Sequence, residues 1–255
     1  MKKLLAIMLS SIIILGWGGC MNQNEYSNAI QGMTDYTNQA TGHAAELVTG
    51  ELELKYGCSF DVKKVGGRLD TGSVTFYLSP KDNAGVVFEA VIDTQTQKVK
   101  DNFINRMIAA GFEKDFEGAL EKRGIRGCAQ AVLAHKDDSA EDDITITQKE
   151  YFEKYQIDEV LVYLALDAAT TGESAAADLI EVCRETGNEL KLLVAVNGVV
   201  LSDKFAGCAK DMKEEPNVSS TWFDAYYPLC NYHFAVTDGK SNVSEQELSK
   251  ILAGD

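Results

Sequence analysis

The chain begins with a charge-free apolar run, Leu4–Leu15 (LLAIMLSSIIIL), which follows the basic start Met1-Lys2-Lys3. A helix that crosses a bilayer needs about 20 apolar residues, so this run is too short to be a permanent span. Its length and flanks are typical of the core of an export signal. Small residues lead from it directly to Cys20. The pattern predicts that the first segment is removed and that only the remainder of the chain folds.

The residues Gly16-Trp17-Gly18-Gly19-Cys20 resemble the lipobox that ends the signal peptides of bacterial lipoproteins. The resemblance implies that a signal peptidase removes residues 1–19 and that the Cys20 thiol carries a lipid. That lipid would anchor the protein to the cell membrane, on its extracytoplasmic face. Trp17 departs from the family pattern, which usually has Leu or a small aliphatic residue there. An ordinary secretory signal and an uncleaved anchor are the alternative interpretations.

Residues 20–42 follow the signal and contain few large aliphatic side chains. They are rich in Asn, Gln, Thr and Gly, and we expect them to form a flexible tether. Beyond them the chain has ample apolar residues for a buried core, since 45% of all residues are hydrophobic. The 39 Asp and Glu residues outnumber the 24 Lys and Arg residues. Nucleic acids and anionic lipids need clustered Lys and Arg, so neither is a predicted partner of the folded part.

Hydrophobic periodicity divides the body into two blocks. The first block, residues 43–135, is predicted to contain a helix, a three-stranded meander, a second helix and a last strand: His43–Tyr56, Ser59–Val65, Ser73–Leu78, Val86–Ile92, Asp101–Leu120 and Cys128–His135. Residues 136–143 (KDDSAEDD) are predicted to form a solvated acidic linker, without the glycine and regular ligand spacing of a calcium loop.

The second block, residues 144–255, opens with a capping box of Thr147 and Glu150 that predicts a helix start, and a similar box at Ser244 predicts the last helix. Between them the pattern predicts a buried strand, a helix closed by Gly187, an extended segment turning at Asn197-Gly198, and another strand: Val160–Leu166, Ser174–Glu185, Leu190–Leu201 and Asn231–Thr237. The predicted class is α+β, an antiparallel sheet with flanking helices. The two blocks are similar in pattern, which a duplication or chance explains about equally well.

Four short motifs of the first block resemble a group of uncharacterised lipoproteins of Gram-positive bacteria. They are Lys55-Tyr56-Gly57, Phe60-Asp61-Val62, the segment 88–93 (FEAVID) and Asp101-Asn102-Phe103. The resemblance implies an antiparallel sheet with packed helices, and it brings no assigned activity.

Catalytic and metal-binding patterns are weak in this sequence. Asp70-Thr71-Gly72-Ser73 spells the DTGS of aspartic proteases, but those enzymes need two aspartates that share a proton and the chain has one copy. A hairpin turn is the preferred interpretation of that segment. No Cys and His spacing suggests zinc, and the phosphate-binding glycine motifs are absent. We therefore predict no cofactor, no metal and no catalytic residues, and lean against an enzyme.

One aromatic-rich segment is the candidate contact site. Trp222, Phe223, Tyr226 and Tyr227 lie within eight residues of irregular pattern. Such side chains are suited to binding a glycan, a peptide or another envelope protein. The alternative, which we prefer, is that they attach a long loop to the core.

The cysteines of the body are odd in number. Cys208 and Cys230 flank an irregular segment and form the candidate disulfide, since an extracytoplasmic compartment permits one. Cys183 lies in an amphipathic helical pattern and is predicted to be a buried thiol. The sequence leaves the pairing of Cys58 and Cys128 open.

Together these patterns favour a lipid-anchored extracytoplasmic protein that acts as a non-catalytic binding or scaffold protein of the cell envelope. An envelope hydrolase with dispersed site residues is one alternative. A ligand-capturing component of an importer is another, and a deep cleft between lobes would favour it.

Overall fold

Two β-sheets form the frame of the computed structural model, which describes residues 41–66, 72–133 and 141–254. The chain divides into the units Met1–Ala44 and Ala45–Asp255, and both sheets belong to the second. The first sheet is an antiparallel meander in the order β1 (Phe60–Gly66), β2 (Ser73–Pro80), β3 (Phe88–Asp93) and β4 (Val99–Asp101). The predicted meander is confirmed.

The second sheet has the order β5 (Gly127–Leu133), β6 (Glu159–Asp167), β7 (Leu193–Leu201), β8 (Cys230–Thr237) and β9 (Lys240–Ser241). Strands β6 and β7 are parallel, and the other neighbours are antiparallel. Strand β5 comes from the first predicted block but pairs with β6 of the second. The α+β class is confirmed, whereas the parallel pair was not predicted.

Helices connect and cover these sheets. They are α1 (described over 41–56), α2 (Phe103–Glu121), α3 (Gln148–Tyr155), α4 (Ala175–Asn188), α5 (Phe205–Glu214) and α6 (Glu245–Ala253), with short 3-10 helices at Ala168–Thr170 and Ser220–Tyr226. The predicted capping box is confirmed, because the Thr147 hydroxyl accepts the Glu150 N–H and the Glu150 carboxylate accepts the Thr147 N–H. Within the described ranges, no helix is both long enough and apolar enough to cross a membrane.

Two glycine predictions of the second block are wrong. Asn197-Gly198 lies inside the continuous strand β7 and makes no hairpin. Gly198 is needed there for a close approach, because a Cβ on it would lie 2.1 Å from Cζ of the opposite Tyr232. Gly187 lies inside α4 and does not close it. It allows the helix to approach Val194, whose side chain would lie 2.9 Å from an added Cβ.

Helix α2 protects the edge of the second sheet. The outer strand β5 has backbone N–H groups with no neighbouring strand to accept them. The Glu117 carboxylate accepts the N–H of Ala129, and the Glu113 carboxylate accepts that of Ala131, both at 2.8 Å. Arg106 donates to the Ala131 carbonyl at 2.8 Å and to Glu113 at 3.1 Å. Side chains of one helix therefore take the place of a neighbouring strand. They occupy backbone groups of β5 that could otherwise pair with a strand of another chain.

The motifs that resemble other lipoproteins meet in one aromatic cluster. The rings of Tyr56, Phe60, Phe88 and Phe103 lie 4.8 to 6.3 Å apart, mostly edge to face. The Asp101 carboxylate accepts hydrogen bonds from the Tyr56 hydroxyl at 2.7 Å and from the Lys55 ammonium at 2.8 Å. These motifs thus join α1 to the first sheet and to the start of α2, which is a packing role.

The acidic linker is not uniformly solvated as predicted. Residues 134–140 lie outside the described ranges, but Glu141 is buried. Its carboxylate accepts bonds from the N–H groups of Asp142 and Asp143, from Lys154 Nζ at 2.6 Å and from Tyr155 Oη at 3.0 Å. Burial alone would raise the pKa of Glu141, but the bonds from Lys154, the backbone and Tyr155 outweigh it and lower the pKa to about 2.

Candidate functional site

A groove of about 330 Å³ opens on one face of the second sheet, beside the aromatic segment, and somewhat more of its lining surface is apolar than polar. Strands β7 and β8 form one wall and the 3-10 helix Ser220–Tyr226 the other. Polar side chains and glycine predominate among the lining residues, which are Asn197, Gly198, Val199, Ser220, Thr221, Phe223, Asp224, Asn231, Tyr232 and His233. The volume is in the range of small-molecule sites in proteins.

Strand alternation explains why the polar side chains of the two strands share this face. Asn197 pairs with His233 in the register, and Val199 pairs with Asn231. Residues two apart in a strand point to the same side. The intervening Tyr232 is buried and lies against Gly198. The sequence signals of this site are an apolar strand interrupted by Asn197 and a β8 that alternates polar with aromatic residues.

The aromatic segment is fixed to the sheet by three of its four predicted contact residues. Phe223 is buried in a core cluster with Val199, and Trp222 and Tyr226 pack against that cluster with their ring centroids 4.9 Å apart. Only Tyr227 projects into solvent, with 82% of its surface exposed. The preferred interpretation, attachment of a loop to the core, therefore describes Trp222, Phe223 and Tyr226, and of the four only Tyr227 stays exposed.

A carboxylate on α5 holds the end of this segment. The Tyr226 hydroxyl donates to Asp211 at 2.6 Å. Burial and this bond to a carboxylate raise the pKa of Tyr226, so the hydroxyl stays protonated and keeps donating. The loop that follows α5 is held separately by Gln130 of β5. Its amide accepts the Val218 N–H at 2.9 Å and donates to the Glu215 carbonyl at 2.6 Å.

The chemistry of the groove is that of hydrogen bonding. Asn197 and Asn231 offer amide donors and acceptors, and Asp224 supplies the one carboxylate among its lining residues. The imidazole ring of His233 makes no hydrogen bond to the described residues, although Ser220 and Asp224 line the same groove. Over residues 41–66, 72–133 and 141–254 no group of three or more His, Cys, Asp or Glu side chains is placed to hold a metal ion.

The candidate disulfide between Cys208 and Cys230 is not formed, and both are free thiols. Cys208 is buried on α5, whereas the Cys230 thiol donates to the Leu252 carbonyl of α6 at 3.8 Å. Their sulfurs are therefore engaged at different helices. Burial raises the pKa of Cys208 and of Cys128 to about 12, and also raises that of the fully buried Cys183. These thiols are protonated at neutral pH and are not nucleophiles.

Two further cavities are less suited to a specific ligand. One, of about 750 Å³, lies among α2, α3 and α4 and is lined by side chains of both charges. Its Glu185 is already paired with Arg123 at 2.9 Å. The other, of about 530 Å³, lies between α2 and the loop that contains Ile144, and most of its lining is apolar. Neither combines several uncharged polar side chains with an aromatic wall as the sheet groove does.

Two predicted features lie outside the described residues. The first is the predicted signal and nearly all of the predicted tether, including Cys20, the predicted lipid attachment site. The second is the first half of the DTGS segment: Asp70 and Thr71 are not described, whereas Gly72 and Ser73 are. The sequence predictions for these positions stay predictions.

The fold matches a crystal structure of a DUF5037 family protein from Ruminococcus gnavus, with a TM-score of 0.67. The two sequences are 15% identical, and the match covers 82% of this chain and 98% of that one. No protein-family model matches the chain, and no curated protein matches it. The likeness shows a shared α+β fold. Its coverage of 82% of the chain is larger than either predicted block alone.

Proposed function

We propose that this protein is a lipid-anchored, extracytoplasmic binding protein of the cell envelope that holds a neutral, hydroxyl-rich ligand such as a glycan. The observation that carries the proposal is the set of polar side chains that line the groove beside the 3-10 helix. Its strand wall presents two amides and an imidazole, and its helical wall presents hydroxyls and one carboxylate. Such groups pair with sugar hydroxyls, which both donate and accept hydrogen bonds.

The charge distribution supports an uncharged ligand. The chain carries a formal net charge of −15, and the groove has one carboxylate and no Lys or Arg among its lining residues. An anionic ligand would meet no compensating cation in the groove, and a metal ion would meet too few oxygen ligands from charged groups. Tyr227 lies exposed beyond the segment that forms the helical wall, where its ring can stack on a sugar or a partner.

A binding experiment tests the ligand class. The purified chain is titrated with a panel of neutral and acidic envelope oligosaccharides while amide NMR shifts are followed. We expect neutral glycans to shift signals of β7, β8 and the 3-10 helix, and Asn231→Ala to weaken binding at least several-fold because it removes both donor and acceptor. Thr237→Ala, an exposed residue near the other end of β8, is the matched control. Binding only of acidic glycans, or binding unaffected by Asn231→Ala, would contradict the assignment.

The anchor requires a separate test, because it rests on Cys20 and the signal pattern alone. Cells that express the full chain are fed an alkyne-bearing fatty acid, and the mature N-terminus is sequenced by mass spectrometry. We expect a lipidated Cys20 as the first residue and loss of label in Cys20→Ala. An intact Met1, or an unlabelled Cys20, would refute the anchor and leave the groove assignment untouched.

An envelope hydrolase remains the second candidate, because His233, Ser220 and Asp224 line the same groove. Activation of a hydroxyl needs the imidazole and the hydroxyl within hydrogen-bond reach, and the imidazole of His233 makes no such bond to a hydroxyl among the described residues. Incubation of the same oligosaccharides with the chain, analysed for cleavage products, separates the two functions. Cleavage that His233→Ala abolishes would establish the hydrolase in place of the binding protein.

A further inference from the structure

Two cysteines of the second unit share one buried cluster. Cys128 lies on the edge strand β5 and Cys208 on α5, and 4% and 0% of their surfaces are exposed. The Cys128 thiol lies 3.6 Å from the carbonyl oxygen of Ala209, the residue that follows Cys208. The sulfur of Cys128 thus reaches the turn of α5 that carries the other cysteine.

Electrostatics and packing support the same neighbourhood. Burial is the main cause that raises the pKa of Cys128, and Cys208 is among the smaller ones, which agrees with the shared cluster. Both side chains belong to one buried cluster that also contains Ala165 and Val199 of the neighbouring strands and Phe223. The two residues therefore lie in the same cluster, where α5 packs on the sheet.

The other cysteines lie elsewhere. Cys230 has its thiol directed to the Leu252 carbonyl of α6, and Cys183 is fully buried on α4. Cys58 follows α1 and lines the apolar cavity beside α2. None of these three belongs to the cluster that holds Cys128 and Cys208.

We propose that Cys128 and Cys208 are the pair that closes to a disulfide when the chain folds under oxidising conditions, which replaces the Cys208–Cys230 pair expected from the sequence. The proposal rests on the proposed extracytoplasmic location, where disulfides form and persist. Each thiol gives up one proton and one electron, a sulfur–sulfur bond forms, and a disulfide-carrying exchange partner such as oxidised glutathione is reduced to two thiols.

The consequence of this bond concerns the groove. It would link α5 covalently to the edge strand of the sheet. Helix α5 also bears Asp211, which holds Tyr226 at the end of the helical wall. Closing the loop between two distant positions restricts the unfolded chain and fixes the support of that wall.

The test is a refolding experiment. The full chain carrying Cys20→Ser is reduced and denatured in detergent and refolded with oxidised and reduced glutathione. It is then denatured again, and its free thiols are alkylated before peptide mapping by mass spectrometry. We expect a linked peptide pair that contains Cys128 and Cys208, two hydrogens lighter than the reduced pair, with Cys58, Cys183 and Cys230 alkylated.

Matched variants sharpen the outcome. Cys183→Ser should leave the linked pair intact, and Cys128→Ser should leave Cys208 alkylated with no new linked pair. Alkylation of all five body thiols, or a link that joins any other two, would overturn the proposal. The same mapping on chain recovered from cell membranes tests the location separately. If the refolded chain is linked and the membrane-recovered chain is fully reduced, the pairing stands and the extracytoplasmic location fails.

Discussion

Gly198 on β7 offers a sharp test of the packing described for the second sheet. A Cβ at this position would lie 2.1 Å from Cζ and 2.3 Å from the hydroxyl oxygen of Tyr232. Ordinary van der Waals contact begins at 3.4 Å, so the ring or the strand must move by about 1.3 Å. The ring has little room, because Tyr232 is 3% exposed and stacks with Phe234 at 6.4 Å.

We therefore expect Gly198→Ala to lower the free energy of unfolding by about 2 to 3 kcal/mol, the upper part of the usual cost of overpacking. Part of the clash is offset by the lower entropy that alanine gives the unfolded chain, about 0.5 kcal/mol. The matched control is Gly207→Ala on α5, where nothing lies within 4 Å of the added Cβ. That change should raise stability by roughly 0.5 to 1 kcal/mol, since alanine favours the helix.

Urea unfolding followed by tryptophan fluorescence measures both changes. Trp222 is the one tryptophan beyond the signal segment and packs against the core next to Tyr226, so its emission reports the loss of this sheet. In a Tyr232→Val background the same Gly198→Ala change should cost less than about 0.5 kcal/mol, because the ring is gone. Equal costs in the two backgrounds would refute the close approach of Tyr232 to Gly198, and so would a neutral Gly198→Ala.

Three further predictions concern charges and hydrogen bonds. The folded-state pKa of Glu141 is about 2 against an ordinary 4.5, so its stabilising contribution is complete above pH 4.5 and is lost as the pH falls towards 2. Glu141→Gln should therefore unfold at lower urea than wild type at pH 6 and show a shallower further loss down to pH 2.5. Glu113→Leu leaves the buried guanidinium of Arg106 and the N–H of Ala131 on the edge strand without their partner. The free energy of unfolding, measured in urea, should fall by about 3 to 5 kcal/mol, and Arg106→Leu in the same chain should restore part of it. Tyr226→Phe removes the bond to Asp211 and should cost roughly 1 kcal/mol and alter the emission of the native protein, whereas unchanged emission and stability would contradict the geometry of the helical wall.

Elements defined by local sequence were predictable from the chain. The capping box of Thr147 and Glu150 satisfies backbone donors within four residues, so it needs no tertiary context. The alternation of Val74, Phe76 and Leu78 likewise identified the central strand of the meander, because one face of that strand is buried.

Features that depend on a distant partner were missed. Asn197-Gly198 has the composition of a hairpin turn, and only the ring of Tyr232, across the strand pair, shows why a glycine is needed inside β7. Glu141 sits in an acidic run that has every local mark of solvent exposure, yet Lys154 and Tyr155 on α3 make its burial favourable. The parallel pairing of β6 and β7 was not predicted either. The hairpin predicted at Asn197-Gly198 would divide residues 190–201 into two short strands, neither of which could pair with β6 along its length.

The candidate groove shows how both kinds of information combine. Its helical wall was visible in the sequence as an unusual aromatic segment, but its strand wall comes from Asn197, Asn231 and His233, which only the register brings together. Strand β5 supports the helical wall, since Gln130 holds the loop after α5 and Cys128 contacts α5 itself. The order of the groove therefore depends on how firmly α5 is held to the edge of the sheet. A ligand that needs a preformed site gains affinity when that support is rigid, because less ordering remains to be done on binding. The proposed bond between Cys128 and Cys208 would therefore affect binding of the proposed ligand through one helix, α5.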